Sequence, residues 1–203
     1  MLHTRHFLMM LAAILAMALP VHGTGDDGLL IGDDGLHKQT WFHDSFLEFG
    51  DDLAEAAEQG KHLMVIIEQD GCPCCRELHR VNFAKPEITD FIQEHYVVVQ
   101  LDLYGSRGTV DFDGEEMEER DLVLKWGAQF TPTTIIFAAA NTGAKSRAEA
   151  EVFRLPGYLR PFHYLTSLEY VVSGEYRNMD FQRFLGVKVK DLQERGIQPE
   201  IWE

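Results

Sequence analysis

The feature that most constrains this chain is a pair of cysteines that follows a run of apolar residues. Residues 62–67 (His-Leu-Met-Val-Ile-Ile) have the composition of a buried strand, and residues 71–76 (Gly-Cys-Pro-Cys-Cys-Arg) then open a predicted helix. The C-x-x-C spacing of Cys72 and Cys75 puts both sulfurs on one face of that helix, one turn apart. Unpaired N–H groups and the partial positive charge at a helix start favour a thiolate at Cys72. The stretch is therefore suited to disulfide exchange, in which one thiolate attacks a disulfide and the second thiol resolves the mixed disulfide.

The chain contains three cysteines, and all of them lie between positions 72 and 75. Exported proteins that are stabilised by disulfides distribute their cysteines along the chain, so that distant segments are joined. Cysteines this close together cannot join distant segments, and we therefore predict that they serve chemistry. With 203 residues, of which 45% are hydrophobic, the chain is long enough for one globular domain with a substantial core.

The N-terminus has the layout of a secretory signal peptide. Arg5 gives it a weakly cationic start, residues 7–19 form an unbroken apolar segment, and Pro20 ends that segment. The apolar segment is short for a membrane span. We therefore predict a signal peptide over residues 1–23 and a periplasmic location. The alternative is a protein that an uncleaved leader anchors in the membrane.

The charge balance narrows the range of partners. The chain has 33 Asp and Glu against 18 Lys and Arg, which gives a formal net charge of −15. A surface of this kind repels nucleic acid and anionic lipid, and it keeps a protein soluble. We therefore expect no nucleic-acid partner.

Beyond the leader, the chain is predicted to comprise a flexible linker, one α/β domain and a C-terminal extension. Residues 24–39 contain two copies of Gly-Asp-Asp-Gly-Leu, which are too few for a calcium-binding array and indicate a solvated linker. Residues 40–175 form the predicted domain. Residues 176–203 form the extension, with a short helical segment near 181–185.

Apolar periodicity predicts the order of elements within the domain. Predicted helices cover residues 51–59, 73–81, 87–95, 118–130 and 161–173, and predicted strands cover 62–67, 96–103, 130–137 and 151–155. The first strand, the helix and the second strand form a right-handed parallel crossover. Residues 104–117 and 144–150 are predicted to be loops, the first of them acidic and solvated.

This order of elements resembles the thioredoxin fold, an α/β fold with a mixed central sheet flanked by helices. Two motifs carry the resemblance, residues 71–75 and the segment Thr131-Pro132-Thr133. In thioredoxin-like proteins the proline before the third core strand follows a cis peptide bond, lies against the cysteine pair and presents backbone to an incoming peptide. The resemblance therefore implies a cis bond at Pro132 and strand-like contacts between Thr131 and a substrate.

The chain is also similar to the SoxW-type branch, the exported thioredoxin-related proteins of bacterial sulfur-compound oxidation. The matching segments are residues 41–42, 45–47, 68–73, 110–114, 129–133, 157–158 and 161–162. Members of this group are periplasmic thiol-disulfide oxidoreductases. The resemblance implies that the partners are disulfide-containing exported proteins and a membrane electron donor of the thiol-carrier type. We expect a monomer that uses no cofactor.

Three positions depart from the thioredoxin pattern. Gly71 stands where thioredoxins usually have Trp before the first cysteine. Ile66 stands where they have a buried Asp that helps to move the proton of the resolving thiol, so that Glu68 or water would have to do this. Cys74 stands where relatives of this type have an aromatic residue, and we interpret it as a bystander or a site of modification, with a redox role left open. Pro73, Cys74 and Glu68 are thus auxiliary candidates.

Two alternative functions, metal binding and non-catalytic protein binding, are considered for the same residues. Cys72, Cys74, Cys75 and His79 include soft ligands for copper or zinc, and exported copper carriers occur on this fold. Adjacent helical residues diverge by about 100° around the helix axis, which opposes a closed site, and a lone helical His generally faces solvent. A non-catalytic binding module would not need two thiols one turn apart.

The function that we favour is that of an exported thiol-disulfide oxidoreductase. Cys72 and Cys75 are the predicted catalytic residues, while Thr131 and Pro132 are implied to bind the substrate. Cys72 attacks a substrate disulfide, Cys75 releases the reduced product, and an external reductant then resets the pair.

Overall fold

The computed structural model describes residues 23–24 and 28–198 of the chain. The α-helices are α1 (Phe49–Glu58), α2 (Pro73–Glu77), α3 (Pro86–His95), α4 (Glu119–Lys125), α5 (Arg147–Ala150), α6 (Pro161–Val172) and α7 (Phe181–Glu194). A π-helical turn (Leu78–Asn82) continues α2, and short 3-10 turns lie at Ala139–Asn141 and Glu175–Arg177. The strands are β1 (Gly23–Thr24), β2 (Leu30–Ile31), β3 (His37–Lys38), β4 (His62–Glu68), β5 (Tyr96–Asp102), β6 (Gly108–Val110), β7 (Glu116–Glu118), β8 (Thr133–Phe137) and β9 (Glu151–Pro156).

The predicted leader lies outside the described residues, apart from Gly23. In the part of the chain that the structure describes, no helix combines the length and the apolar character that a membrane crossing requires.

Four strands form the central sheet in the order β5-β4-β8-β9. β4 and β5 run parallel and are joined by α2, the π turn and α3, whereas β8 and β9 run antiparallel to their neighbours. Helices cover both faces of the sheet. The predicted fold, an α/β fold with a mixed sheet flanked by helices and a helical C-terminal extension, is confirmed.

The sheet is covered on both faces because its central strand is apolar on both sides. Successive side chains of β4 point to opposite faces, so Leu63, Val65 and Ile67 face α1 and α4, while Met64 and Ile66 face α3 and α6. The larger side chains in the first of these cores are Phe49, Phe112, Trp126 and Phe137. Burial of these apolar surfaces is the main source of stability.

One edge of the sheet brings the two predicted motifs together. β4 ends at Glu68, and the antiparallel β8 begins beside that end, since Ile67 pairs with Thr133. The loop after β4 leads to Cys72 at the start of α2, and the loop before β8 contains Pro132. Motifs that are far apart in sequence therefore lie at the same edge.

Residues 28–39 are not part of a flexible linker, which the composition of residues 24–39 predicts. β1, β2 and β3 form a small antiparallel sheet in which Leu30 pairs with Lys38. Leu36 is 1% exposed, and a Cβ built on Gly35 would lie 2.7 Å from the Cγ atom of Asp70. The Gly- and Asp-rich turn is thus the tip of a hairpin, here called the N-terminal hairpin (residues 28–39). It packs against the loop that precedes the cysteine motif, since Gly35 lies beside Asp70.

The acidic segment 104–117 also differs from its prediction as a solvated loop. Its residues 108–110 form β6, which pairs with β7 as an antiparallel hairpin. Asp111 is buried, and its carboxylate accepts a hydrogen bond from Trp126 Nε1 at 3.0 Å and pairs with Lys125 Nζ at 2.7 Å. The carboxylate therefore links the hairpin to the core instead of facing solvent.

Two helices differ from their predicted lengths, and a third lies where a loop was predicted. α4 ends at Lys125 and not at residue 130, because Gly127 adopts a φ of 70° and its N–H binds Leu124 O. α5 occupies part of the segment 144–150 that was predicted to be a loop. α7 continues well beyond the short segment predicted near 181–185, since its first half packs on α6 through aromatic side chains.

Candidate active site

Cys72 and Cys75 are joined by a disulfide at the start of α2, with their Cα atoms 5.3 Å apart. Cys72 is 7% exposed and Cys75 is 2% exposed, so the first sulfur is the one nearer to the surface. The backbone N–H of Cys75 donates to Cys72 Sγ, with the nitrogen 3.1 Å from the sulfur. This donor is one of the N–H groups that a helix start leaves unpaired, and it stabilises negative charge on that sulfur.

The local sequence explains why a helix starts at this point. Gly71 has a φ of 68°, in the left-handed region that favours glycine, and it turns the chain after the loop from β4. Cys72 is the extended N-cap residue, and Pro73 occupies the first helical position, where its missing N–H costs no hydrogen bond. The auxiliary candidate Pro73 therefore stands where it fixes the start of the helix.

The Thr131-Pro132 segment lies directly against the first cysteine. The Thr131–Pro132 peptide bond is cis. The hydroxyl of Thr131 donates to Cys72 Sγ at 3.3 Å, and the carbonyl oxygen of Thr131 lies 3.6 Å from the same sulfur. Phe130, the residue before them, exposes 65% of its surface beside this contact. An apolar side chain and the backbone carbonyl of Thr131 thus border the sulfur that is nearer to solvent.

At the end of β4 the structure places a buried hydrogen-bonded pair that the sequence did not reveal. Glu68, at the end of β4, is 1% exposed, and its two carboxylate oxygens lie 3.1 and 3.2 Å from His79 Nε2. The side chains of both residues are essentially inaccessible to solvent. His79 therefore does not face solvent, as a lone helical His was expected to do, because the π turn carries it onto the buried face.

Amide side chains from two other elements hold this pair, and we call the four residues the buried pair and its amides. Gln39 Nε2 lies 3.1 Å from His79 Nδ1, at the end of the N-terminal hairpin. Gln100, on β5, donates from Nε2 to the Glu68 carboxylate and to the carbonyl oxygen of His37. Each polar atom of the pair thus has a partner, as buried polar groups require.

Cys74 points away from these groups. It is an exposed free thiol, whereas its neighbour Cys75 is buried in the disulfide. Consecutive residues on a helix are rotated by about 100°, which accounts for this divergence.

The structure does not bring together the four residues of the alternative metal site. Cys72 and Cys75 are joined by a disulfide, Cys74 is exposed, and the imidazole of His79 is paired with the carboxylate of Glu68. Among the described residues, no group of three or more His, Cys, Asp and Glu side chains is arranged to hold a metal ion.

Sequence reasoning considered His79 only as a ligand of the alternative metal site, and it did not identify Gln39 and Gln100 as neighbours of the site. Two signals were available for His79. It stands four residues after Cys75 and so shares its helix face, and Glu68 is an acid that ends an otherwise apolar strand. The two glutamines carry no comparable signal, because their role depends on where the N-terminal hairpin packs.

Solved structures of the same general fold were found by comparison. A thioredoxin-fold protein from Helicobacter pylori is 19% identical, covers 75% of this chain and 97% of its own, and has a TM-score of 0.47. A thioredoxin from Thermus thermophilus is 20% identical, with coverages of 66% and 94% and a TM-score of 0.49. The oxidised C-terminal domain of DsbD from Neisseria meningitidis is 13% identical, with coverages of 62% and 91% and a TM-score of 0.41.

The comparison with curated proteins found no significant match. The comparison with families did find one, since the sequence model described as "thioredoxin-like domain" matches residues 49–172. This range extends from the start of α1 to the end of α6, and so it contains the cysteine pair and the cis proline. The chain belongs to the thioredoxin-like domain family.

Proposed function

We propose that this protein is an exported thiol-disulfide oxidoreductase that reduces or exchanges disulfides of partner proteins through Cys72 and Cys75. One observation carries the proposal: Cys72 Sγ is bonded to Cys75 at a helix start, near the surface, in contact with a backbone N–H and with Thr131. A sulfur in this environment is a good nucleophile and a good leaving group, because hydrogen-bond donors stabilise its thiolate.

The same geometry supports distinct roles for the two sulfurs. Cys72, the more exposed, attacks a substrate disulfide and forms a mixed disulfide with one substrate sulfur. Cys75, which is buried one turn further, then attacks Cys72 Sγ and releases the reduced substrate. Thr131 borders the attacked sulfur, and with Pro132 it offers backbone to a substrate segment there.

The export and the partners are part of the proposal and follow from the sequence. The leader over residues 1–23 supports a periplasmic location, with an uncleaved anchor as the alternative. The similarity to the SoxW-type branch supports exported disulfide proteins as substrates and a thiol carrier of the membrane as electron donor. N-terminal sequencing of the exported protein tests the leader, since the proposal expects a new N-terminus near residue 24.

An insulin-reduction assay tests the activity. With dithiothreitol as the reductant, the wild-type protein is expected to speed up the precipitation of the insulin B chain, and Cys72→Ser is expected to abolish this acceleration. Cys75→Ser is expected to accumulate a mixed disulfide at Cys72, which peptide mass spectrometry would locate. A wild-type protein that leaves insulin unreduced, while it still binds a partner after Cys72→Ser, would identify a non-catalytic binding module instead.

The direction of electron flow is a separate measurement. Equilibration of the protein with glutathione buffers, followed by mass spectrometry of the peptide that contains residues 72–75, gives the reduction potential of the pair. A potential near that of thioredoxins is expected for a reductant. If the oxidised peptide never contains a link between Cys72 and Cys75, the proposed mechanism is wrong.

A further inference from the structure

Basic residues are concentrated in two segments of this acidic chain. Residues 71–86 contain three basic residues and one acidic residue, and residues 152–168 contain two basic residues and no acidic one. The chain as a whole has 33 acidic residues against 18 basic ones, so both segments depart from its composition. The basic residues of the two segments are Arg76, Arg80, Lys85, Arg154 and Arg160.

The fold places these two segments side by side, next to the cysteine pair. The first segment contains both cysteines and continues through α2 and the π turn. The second contains the loop 157–160, in which Gly157 N–H donates to the carbonyl oxygen of Pro132 at 2.7 Å. The hydroxyl of Tyr158 donates to Asn82 Oδ1 at 3.2 Å. The loop is thus attached both to the cis proline and to the π turn.

The charges of the two segments act on the same groups. Burial raises the pKa of Tyr158 and the charge of Glu77 raises it further, whereas the charges of Arg160 and Arg80 lower it. The hydrogen bond from Arg80 lowers the pKa of Glu77, and the charge of Arg76 lowers it further. These groups therefore lie within electrostatic range of one another. We call Arg76, Arg80 and Arg160 the arginine patch.

The arginine patch is accessible to a partner and is positively charged. Arg76 and Arg160 are exposed, and the side chain of Arg80 is 50% exposed. The one carboxylate of the two segments belongs to Glu77, which pairs with Arg80 at 2.7 Å. Neither α2 nor α6 has an acidic residue in its first turn. Arg154 is not part of the patch, because it pairs with Glu151.

The charge changes sign across the cysteine pair. Asp70 is exposed two residues before Cys72, and it lies beside Gly35 of the N-terminal hairpin. That hairpin contacts β5 through Gln100, at one end of the strand order, whereas the loop 157–160 follows β9 at the other end. The positive side of the site is therefore the side that this loop borders.

A pattern of this kind orients a charged partner before contact. Attraction at a local patch raises the rate of productive encounter, and repulsion by the remaining surface disfavours other orientations. Here a positive patch beside Cys72 belongs to a molecule with a formal net charge of −15. An acidic segment is thus attracted at the catalytic sulfur and repelled elsewhere. Guanidinium groups are also suited to bind carboxylates directly.

We propose that the arginine patch selects substrates in which acidic residues flank the disulfide. This inference rests on the proposed oxidoreductase function and names the substrate class of the same site. Arg160 is the specificity-determining residue that is best suited to a test. Its side chain is exposed, and the bond by which it starts α6 comes from its backbone, since Tyr164 N–H donates to Arg160 O.

Two peptides that differ only in charge test the proposal. Each has a central cysteine in a mixed disulfide with thionitrobenzoate, flanked by four Asp residues in one peptide and by four Lys residues in the other. The reduced protein, in a Cys74→Ser background, becomes oxidised to the Cys72–Cys75 disulfide, while the peptide disulfide gains the two electrons and is released as a peptide thiol and coloured thionitrobenzoate. Stopped-flow absorbance gives the rate for each peptide.

The acidic peptide is expected to react about tenfold faster than the basic peptide at about 20 mM salt, and the ratio is expected to fall to about twofold or less at about 500 mM. Arg160→Ala is expected to lower the ratio at low salt about threefold, and Arg160→Glu is expected to lower it further. Because the ratio compares two peptides on one protein, a change in the reactivity of Cys72 cancels.

Arg183→Ala is the matched control. It removes one exposed arginine as Arg160→Ala does, but Arg183 lies in the first turn of α7, which packs on Tyr170 near the opposite end of α6. The ratio of the two rates is expected to equal that of the wild type.

Different failures would refute different statements. Equal rates for the two peptides at low salt, or the same ratio in Arg160→Ala as in the wild type, would overturn the role of the arginine patch while the oxidoreductase function stands. Equal rates together with binding to phosphatidylglycerol vesicles that Arg160→Glu abolishes would assign the patch to a membrane surface instead. A wild-type protein that releases thionitrobenzoate from neither peptide would overturn the function itself, and this inference with it.

Discussion

At the scale of single residues, the candidate site depends on which way each of three cysteines points. Cys72 contacts the hydroxyl and the carbonyl oxygen of Thr131, Cys75 is buried, and Cys74 is exposed. The 100° rotation between consecutive helical residues makes this arrangement unavoidable once Cys72 is the N-cap. The Cys74 thiol therefore points away from the disulfide because of the helical rotation, although Cys74 is adjacent to Cys75 in the sequence.

We predict that Cys74→Ser leaves the disulfide and its chemistry intact. The oxidised wild-type protein is expected to react with one equivalent of a thiol reagent without prior unfolding, because Cys74 is an exposed free cysteine. The variant is expected to react with none, and its rate of insulin reduction is expected to match that of the wild type. A variant that loses activity, or whose oxidised form contains a reactive thiol, would show that Cys74 takes part in exchange.

At the scale of elements, the start of α1 contains a carboxylate that burial keeps in an unusual state. Ser45 Oγ lies 2.7 Å from both oxygens of the Asp52 carboxylate and also accepts a hydrogen bond from Leu47 N–H. Burial raises the pKa of Asp52 to about 6, although the hydrogen bond from Ser45 and the charge of His43 lower it. The folded state therefore binds a proton at Asp52 more tightly than the unfolded state does.

This shift predicts the pH dependence of stability. In the unfolded state the pKa of Asp52 is about 3.9. Between about pH 4 and pH 6 the folded state therefore carries more protons at Asp52 than the unfolded state does. The free energy of unfolding is therefore expected to fall as the pH rises through this window. Asp52→Asn removes the titration and should increase the free energy of unfolding at pH 7 by about 2–3 kcal/mol, with little change at pH 4.

Urea unfolding at pH 4, 5, 6 and 7 measures this effect. Asp51→Asn is the matched control, since Asp51 is an exposed carboxylate in the same helical turn, and it should leave the pH dependence of the wild type unchanged. Parallel curves for wild type and Asp52→Asn would contradict the prediction.

At the scale of the whole molecule, the fold extends beyond the residues that the family match covers. The match ends at residue 172, yet α7 packs back on the domain through aromatic side chains. The ring centroid of Phe181 lies 5.4 Å from that of Phe153 on β9 and 5.6 Å from that of Tyr170 on α6. The extension is therefore expected to unfold together with the sheet.

We predict that Phe181→Ala lowers the free energy of unfolding by about 2 kcal/mol, less than truncation of a fully buried Phe costs, because Phe181 is only partly buried. Val187→Ala is the control, since Val187 lies on the same helix with 58% of its surface exposed and is expected to have almost no effect. Urea unfolding followed by circular dichroism and by tryptophan fluorescence should give coincident single transitions. An early transition seen by circular dichroism alone would show that α7 unfolds independently.

Much of the fold and part of the site follow from short-range patterns. The apolar run before residues 71–76 predicts the central strand, and the proline after Thr131 marks the start of β8. Both motifs lie at one sheet edge because β4 ends at that edge and the antiparallel β8 begins there. These features are encoded locally, through side-chain periodicity, helix-start chemistry and the missing N–H of proline.

By itself, then, the sequence determined the strand–cysteine–helix unit, the spacing of Cys72 and Cys75 and the position of Pro132. Tertiary structure alone decided that residues 28–39 pack as a hairpin and that His79 meets Glu68. The physical reason is that burial is a property of assembled elements. A Gly- and Asp-rich turn or a single helical His has the same local pattern whether solvent or another element faces it, and only packing distinguishes the two cases.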